Sequence, residues 1–340
     1  MTMKAIQYEQ FGEPSQVLQM AEKEIPEPGP GEVRVKMLVS PINPSDLMSI
    51  RGGYTYTPEL PATPGFEGVG IVESSGGGML GKMMIGKRVA VLNRNHGNWC
   101  EQTVTSAKQV IPVPKQLHDD QAASFFVNPA TAFILTTKVL QVPKDGWLVQ
   151  TAANSSLGKM VIKLGLMNEF KTLNIVRREE EKEKLKFLGA TRVIVFDIER
   201  DPPEKLVEQI VEITGGGARY VMDPVGGRLA SILVDALGKD AQMVLYGTMS
   251  GENVSFFPRS LMSINARIRG FHLGGWMENQ SIWAKMSLIR QISRLVVDGT
   301  LSTDSAKEYP LTEFVEAIEK SQQPGMNTKV LLRIAEGEEN

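Results

Sequence analysis

The hydrophobic and polar pattern divides the chain into two regions of different character. Residues 1–120 contain short β-rich runs, such as VRVKMLV and KRVAVL, separated by turn clusters rich in proline and glycine, such as EIPEPGPGE and LPATPGFEGVG. This spacing is typical of an irregular, mostly antiparallel β domain. One of the clusters, GGGMLGK at residues 76–82, also predicts a turn, with no helix pattern after it.

From residue 123 onward, short apolar segments alternate with helical patterns. Between the segments, apolar residues recur at the i, i+3, i+4 and i+7 spacing of one helix face, as in Leu157, Met160, Val161 and Leu164. Such alternation predicts a parallel sheet covered by helices on both faces. The predicted strands are Trp147–Val149, Thr172–Val176, Val193–Phe196, Tyr220–Met222, Met243–Tyr246 and Ile268–Phe271.

The C-terminal stretch predicts a long amphipathic helix at Ile282–Val297, a shorter one at Thr312–Ser321 and a final strand with the sequence KVLLRI. We expect this stretch to return to the first domain. The predicted fold class is therefore α/β, with two domains. A β-rich domain comprises residues 1–122 and 273–340, and a doubly wound parallel-sheet domain comprises residues 123–272.

Composition narrows the class of protein. The 340 residues are 42% hydrophobic and 22% charged, with a formal net charge of −2, as in soluble globular proteins. No basic stripe indicates nucleic acid, and no run approaches the ~20 apolar residues that span a membrane. The single cysteine, Cys100, and three scattered histidines argue against disulfides and metal catalysis. With no signal-peptide pattern at the N-terminus, we expect a cytosolic protein.

The stretch from Trp147 to Arg178 predicts a strand, a tight turn, a helix and a second strand. At such a turn, backbone amides and the positive end of the helix can bind a cofactor pyrophosphate. Aligned on Gly158, the chain lacks the first two glycines of the usual fingerprint, so an ordinary strand–turn–helix is an alternative. Its place after the first strand of the alternating series favours a cofactor turn. The predicted pyrophosphate-binding residues are Asn154, Ser155, Ser156 and Leu157.

Arg177 lies nineteen residues after Gly158, at the end of the second predicted strand. An acid there would bind the ribose 2′-hydroxyl of NAD, whereas an arginine can hold a 2′-phosphate. Alternatively, Arg177 and Arg178 are surface charges that pair with Glu179–Glu181. The missing acid favours NADPH, with the two arginines at its 2′-phosphate.

Three loops carry further candidate chemistry. Tyr54, in RGGYTYTPELP, is either a half-buried anchor or a proton donor to an enolate. The loops DPVGG (223–227) and YGTM (246–249) end predicted strands at the carboxyl edge of the sheet, where α/β proteins bind ligands. From the residues alone, each loop is equally well explained as a structural connection.

Together these residues resemble the medium-chain dehydrogenase/reductase superfamily over nearly the whole chain. Its zinc-dependent members have a cysteine and a histidine where this chain has Asn43 and Phe66, so the resemblance is to the zinc-free branch. Within that branch, the chain is most similar to 2-enoyl thioester reductases. The shared stretches are VNP at 127–129, NSSLG at 154–158, NIVR at 174–177, DPVGG, YGTM, Phe271–Leu273 and Lys329.

The resemblance implies a GroES-like catalytic domain and a Rossmann domain, with the active site in the cleft between them. It implies NADPH-dependent reduction of the C2=C3 bond of an enoyl thioester of CoA or acyl-carrier protein, with hydride added at Cβ and Tyr54 as proton donor. A homodimer is common in the superfamily. The cofactor contacts that it implies, beyond the turn and the arginines, are Asn128, Tyr246, Gly247, Thr248, Met249, Phe271, His272, Leu273 and Lys329.

Two features depart from these relatives. Asp223-Pro224 replaces their Asn-Cys, and Arg178 is out of register with their second arginine. Two other functions stay open: a quinone or enone reductase that uses the same cofactor site, and an NADPH-binding protein without catalytic activity.

Overall fold

The computed structural model describes residues 1–54, 56–93, 96–303, 306–323, 325 and 328–335. The chain divides into two compact units: a β-rich unit of Met1–Val127 with Ser302–Asn340, and an α/β unit of Asn128–Leu301. The C-terminal segment therefore belongs to the same unit as the N-terminal segment. The first boundary follows Val127 rather than residue 122, and the second follows Leu301 rather than residue 272.

The second boundary differs from the prediction because the long helix Ile282–Val297 belongs to the α/β unit. Its apolar face, which includes Leu288 and Ile292, is buried. Beyond the helix, the Gly299 carbonyl accepts a hydrogen bond from Lys163 Nζ at 3.4 Å, which ties this segment to the first helix of the sheet. An amphipathic pattern shows that a helix has a buried face but not which unit buries it.

Strands and helices alternate without interruption between Trp147 and Gly270. In chain order the strands are β1 Thr2–Gln7, β2 Gln19–Glu24, β3 Glu32–Pro41, β4 Glu67–Ser75, β5 Arg88–Leu92, β6 Gln102–Ser106, β7 Val110–Pro112, β8 Trp147–Gln150, β9 Lys171–Val176, β10 Arg192–Val195, β11 Ala218–Asp223, β12 Leu237–Leu245, β13 Arg267–Gly270, β14 Ala306–Pro310 and β15 Lys329–Arg333.

The helices are α1 Pro14–Val17, α2 Pro44–Ile50, α3 Met79–Met84, α4 Asp119–Ala123, α5 Val127–Ile134, α6 Ser156–Asn168, α7 Glu179–Phe187, α8 Pro203–Thr214, α9 Gly227–Asp235, α10 Pro258–Met262, α11 Leu273–Glu278, α12 Ile282–Val297 and α13 Phe314–Gln322. A π-helical turn, Leu135–Val139, continues α5, and a 3₁₀ turn, Leu311–Glu313, precedes α13. Helix α3 forms where GGGMLGK predicted only a turn. Among the described residues, no helix is long and apolar enough to cross a bilayer.

The β-rich unit is built on a seven-stranded sheet. Its order is β14-β15-β3-β4-β5-β7, and β6 also pairs with β3. All the pairs are antiparallel except β14 with β15. A separate antiparallel pair, β1 with β2, completes the unit. Because β15 pairs with β3, the last described strand of the chain is an interior member of this sheet.

The α/β unit contains a six-stranded parallel sheet of order β10-β9-β8-β11-β12-β13. These strands are the six that the apolar segments predict, although β12 begins at Leu237, before the predicted Met243. In β9, every residue after Lys171 is buried, as expected of a strand covered on both faces. The strand order reverses between β8 and β11, and such a switch point opens a ligand site at the carboxyl ends. The structure confirms the predicted α/β class.

Candidate active site

The turn between β8 and α6 has the geometry of a phosphate-binding helix start. Ser155 caps the helix, because its Oγ accepts a hydrogen bond from the Gly158 amide at 3.1 Å. Gly158 packs so tightly that a Cβ there would lie 2.4 Å from the Ala153 carbonyl oxygen. The turn therefore keeps the one glycine that close packing requires, while Ala153 and Ser155 occupy the other two fingerprint positions without such a clash.

A buried acid lies beside this turn. The side-chain amide of Asn154 donates to Glu181 Oε1 at 3.0 Å, and Glu181 is 8% exposed. From the sequence, Glu179–Glu181 were considered only as partners of Arg177 and Arg178, so this contact was not predicted. The spacing of Glu181 and Leu185 is the signal that identifies it, because both lie on the buried face of α7.

The two predicted phosphate-binding arginines follow β9. Arg177 is exposed, whereas Arg178 is partly buried and precedes α7, and its carbonyl accepts the Glu181 amide at 3.2 Å. Since β9 pairs in parallel with β8, the arginines and the Asn154 turn lie at the same edge of the sheet. The structure thus places the predicted pyrophosphate and 2′-phosphate residues on adjacent connections.

Asp223 organises the other side of the switch point. It is fully buried, accepts a hydrogen bond from the Thr151 hydroxyl and accepts the Gly226 amide at 2.7 Å. Burial raises the pKa of Asp223, and these hydrogen bonds oppose the rise. The aspartate that replaces the relatives' asparagine therefore links the end of β8 to the loop after β11.

The predicted YGTM residues follow β12 and are held against the DPVGG loop. The Tyr246 amide donates to the Asp223 carbonyl and the Met249 amide to the Pro224 carbonyl, both at 3.0 Å. A Cβ on Gly247 would lie 2.6 Å from the Pro224 carbonyl oxygen, so only glycine fits. Burial, and next the neighbouring Asp223, raise the pKa of Tyr246, so its phenol stays protonated. Thr248 and Met249 are exposed at the loop tip.

The remaining predicted cofactor residues of the α/β unit lie at two places. Phe271, His272 and Leu273 follow β13 at the carboxyl edge, where the Phe271 amide donates to the Leu245 carbonyl at 2.8 Å. His272 caps α11, its Nδ1 accepting the Gly275 amide at 3.3 Å. Asn128 is the second residue of α5 and is partly buried.

Tyr54 lies in the β-rich unit, on the loop after α2. It is partly buried, and its ring contacts the ring of Phe66 with the centroids 5.3 Å apart and the planes at 32°. Phe66 directly precedes β4, so a residue at the edge of the sheet supports the tyrosine. This geometry leaves a phenol on a loop, held from one side by an aromatic ring.

Lys329 also belongs to the β-rich unit, where it forms part of a buried group that we call the Lys329 cluster. The lysine donates a hydrogen bond to Asn43 Oδ1, and Asn43 Nδ2 donates to Glu67 Oε1 at 2.9 Å. Asp46 accepts the backbone amides of Asn43 at 2.8 Å and Phe66 at 2.9 Å. The members of the cluster are Asn43, Asp46, Glu67 and Lys329.

Burial dominates the electrostatics of the cluster. It raises the pKa of Asp46 to about 7, against the backbone hydrogen bonds and the positive charge of Lys329. It also raises the pKa of Glu67 and lowers that of Lys329, while the attraction between these two groups opposes both shifts. The sequence predicts a role for Lys329 but does not identify its partners, because they lie far apart along the chain.

The residues at the zinc-ligand positions of related enzymes have other roles here. Asn43 bonds within the Lys329 cluster and Phe66 contacts Tyr54. Cys100 is buried, and burial raises the pKa of its thiol to about 12. In the part of the chain that the structure describes, no group of three or more His, Cys, Asp or Glu side chains is arranged to hold a metal ion.

Comparison with known protein families gives two matches. The alcohol dehydrogenase GroES-like domain matches residues 29–115, and the zinc-binding dehydrogenase family matches residues 156–288. The first lies in the β-rich unit and the second in the α/β unit.

Individual relatives extend over almost the whole chain. The mitochondrial enoyl-[acyl-carrier-protein] reductase of Mus musculus is 32% identical over 334 residues, which cover 97% of this chain and 88% of that protein. Among solved structures, a putative NADPH:quinone reductase from Bacillus thuringiensis is 33% identical, with a TM-score of 0.88 over 98% of this chain and 100% of its own. The complex of Etr1p with NADP and crotonyl-CoA is 25% identical, with a TM-score of 0.82 and coverage of 98% and 100%.

Proposed function

Because the chain belongs to the 2-enoyl thioester reductases of the medium-chain dehydrogenase/reductase superfamily, we propose that it reduces the C2=C3 double bond of 2-enoyl thioesters with NADPH. The observation that carries this choice is the 32% identity to an enoyl-[acyl-carrier-protein] reductase over 97% of the chain. The related Etr1p complex, which contains NADP and crotonyl-CoA, supports the same substrate class.

NADPH fits the carboxyl edge of the parallel sheet. The α6 helix start offers backbone amides to a pyrophosphate, and the close approach of Gly158 to Ala153 leaves no side chain in the way. Arg177 and Arg178 supply positive charge for the 2′-phosphate on the neighbouring connection. We assign Asn128, the YGTM loop and Phe271–Leu273 to the nicotinamide half of the cofactor, and Lys329 as a further contact.

In the proposed reaction, the protein itself supplies a proton from Tyr54 and positions it near Cα of the substrate. Bound NADPH supplies the hydride that adds to Cβ of the acyl thioester, and the electron pair of the double bond moves to Cα and the thioester oxygen as an enolate. Tyr54 then transfers its phenolic proton to Cα, and solvent reprotonates the tyrosinate. General acid catalysis of this kind contributes about 10²–10⁴-fold to a rate.

A quinone or enone reductase is the second candidate. The 33% identity to a putative NADPH:quinone reductase structure over 98% of the chain is the observation that favours it. The same cofactor residues serve both reactions, so only the acceptor distinguishes them. A protein that binds NADPH without turnover is the third possibility.

Steady-state kinetics with NADPH separate the three functions. Crotonyl-CoA should be reduced with saturation, and crotonyl-acyl-carrier protein should be compared at equal concentration, since we propose that either carrier presents the acyl group. Rapid reduction of quinones with no activity on either thioester would overturn the proposal. Tight NADPH binding with no turnover of any acceptor would instead identify the non-catalytic binder.

We also propose that the chain forms a homodimer through strand β13. This strand is the last member of its sheet, and three of its four residues are exposed. Edge strands with free backbone groups pair readily with a second copy. Pairing of β13 with β13 of a second copy would join the two six-stranded sheets into one continuous sheet of about twelve strands.

A further inference from the structure

The Lys329 cluster places two acids and a lysine where water is excluded. Asp46, Glu67 and Lys329 are only 1%, 2% and 8% exposed. Burying such charges costs several kcal/mol each, and well-packed apolar residues in their place are often equally stable or more so. Asn43 and Asp46 form the capping box of α2, but capping does not require the buried Glu67 and Lys329, and the position of the cluster suggests another role.

Hydrogen bonds within and beside the cluster hold the backbone of Phe66 at both its amide and its carbonyl. Asp46 accepts the Phe66 amide at 2.9 Å, and the Phe66 carbonyl accepts the Asn93 amide at 2.9 Å. The next residue, Glu67, is held by Asn43. Phe66 is thus fixed at both its amide and its carbonyl, and its ring is the one that contacts Tyr54.

The loop that carries Tyr54 has a permissive backbone. Gly52 and Gly53 precede the tyrosine, and Gly52 has a φ of 78°, a conformation that side chains rarely adopt. A phenol on such a loop needs side-chain contacts to keep one orientation. The ring of Phe66 provides such a contact, from a residue whose backbone amide and carbonyl are both hydrogen-bonded.

We propose that the Lys329 cluster is a positioning device for Tyr54. Asp46 fixes the Phe66 backbone, Phe66 orients the phenol, and Lys329, which is hydrogen-bonded to Asn43, supplies the positive charge beside the two acids. Asp46 and Phe66 are positioning residues in this scheme, because they act on the substrate through Tyr54. The inference rests on the proposed function, in which Tyr54 is the proton donor.

A double-mutant cycle of Asp46→Asn and Tyr54→Phe tests the proposal on the full-length protein with NADPH and crotonyl-CoA. Asparagine cannot accept both backbone amides, so the Phe66 backbone should shift, and misplacement of a catalytic group lowers kcat by about tenfold or more. NADPH affinity, measured by fluorescence titration without substrate, should change less than about twofold. In the Tyr54→Phe background, Asp46→Asn should cause no further loss of kcat.

Two further sets of variants test the proposal without relying on Asp46→Asn alone. Phe66→Leu should lower kcat as Asp46→Asn does, and Phe66→Tyr, which keeps the ring, should restore it. These variants change no buried charge, so they stay informative if Asp46→Asn does not fold. Asp119→Asn is the matched control, because it removes a carboxylate that pairs with Arg88 in the same unit at 2.6 Å. It should leave kcat unchanged.

The outcomes separate this inference from the proposed function. A wild-type protein that reduces no enoyl thioester overturns the function itself. If Tyr54→Phe is fully active, the role of Tyr54 is wrong and the positioning proposal is wrong with it. If Tyr54→Phe is slow but Asp46→Asn lowers kcat equally in both backgrounds, or if Phe66→Leu is fully active, only the positioning proposal is overturned.

Discussion

The side-chain amide of Asn154 donates a hydrogen bond to the carboxylate of Glu181 at 3.0 Å, which ties the cofactor turn to the helix after the second strand of the sheet. The carboxylate is 8% exposed, so the bond is shielded from water and fixes the turn. The end of β9 has no acid that could bind a ribose 2′-hydroxyl. The nearby acid, Glu181, instead accepts a hydrogen bond from Asn154 of the turn.

Removal of this bond should weaken cofactor binding. Glu181→Ala removes the carboxylate that accepts a hydrogen bond from the Asn154 amide. We expect NADPH affinity to fall about five- to tenfold, because this bond supports the turn and is not itself a contact with the cofactor. Glu181→Gln keeps an acceptor oxygen and should retain most of the affinity. Glu180→Ala, at an exposed neighbour, is the control. Equal affinities for all three variants in fluorescence titrations would mean that the bond does not support the turn.

The 2′-phosphate assignment predicts a change in cofactor preference. Arg177→Ala should weaken NADPH binding by about 10- to 100-fold, since a charge-assisted hydrogen bond contributes about 1.5–3 kcal/mol, and should barely affect NADH. Arg192→Ala, at an exposed arginine on the next strand, should affect neither. Titrations with both cofactors measure the ratio. Equal losses for NADPH and NADH would show that Arg177 is only a surface charge, and the same measurement on Arg178→Ala assigns the second arginine.

Gly158 should tolerate no larger residue. In Gly158→Ala the added carbon would lie 2.4 Å from the Ala153 carbonyl oxygen, and backbone atoms cannot move aside cheaply. We expect a loss of about 1–3 kcal/mol in unfolding free energy and a marked loss of NADPH binding, because the turn must open. Gly270→Ala meets no atom within 4 Å and serves as the control for stability. A Gly158→Ala protein with normal melting temperature and NADPH affinity would contradict the packing argument.

The buried Asp46 predicts a specific dependence of stability on pH. Its pKa is about 7 in the folded state and 3.8 in model compounds, so folding favours the protonated form. Its contribution to stability is fully present below pH 3.8 and is lost as the pH rises through about 7. The difference in unfolding free energy between the wild type and Asp46→Asn, measured with denaturant, should fall between about pH 4 and pH 7 and stay level above pH 7.

A control with the opposite sign is available for that measurement. The pKa of Asp201 is lowered by the Asp197 amide and by Lys205, so its contribution is lost only as the pH falls below its ordinary value. Asp201→Asn should therefore not alter the slope above pH 5. A wild type and an Asp46→Asn variant with parallel profiles would show that Asp46 is ionised throughout that range.

If the dimer forms through β13, a proline in β13 should disrupt it, and a proline in β10, at the opposite edge of the parallel sheet, should not. Arg267→Pro removes a backbone donor from the first residue of β13 and should shift the protein toward monomer in sedimentation velocity. Arg192→Pro makes the same change at the first residue of β10, the opposite edge strand, and should leave the mass unchanged. A wild type that stays monomeric over a wide concentration range would contradict the proposal.

The sequence predicted the parallel sheet well because most of its strands contain a short apolar run. It predicted the cofactor turn from context, although two fingerprint glycines are absent. It did not predict the contacts of Glu181, since an acidic run resembles an exposed helix until its spacing from Leu185 is considered. The Lys329 cluster could not be predicted from the sequence, because Asn43, Glu67 and Lys329 come into contact only when the sheet forms.

The place of β15 in its sheet also determines when the protein can finish folding during synthesis. The α/β unit is one continuous segment that ends at Leu301, so all of it has been made before Lys329 is added. The β-rich unit begins first but lacks both an interior strand and the ammonium partner of two buried carboxylates until then. On the ribosome, the seven-stranded sheet can therefore be completed only after the C-terminal strand has been made.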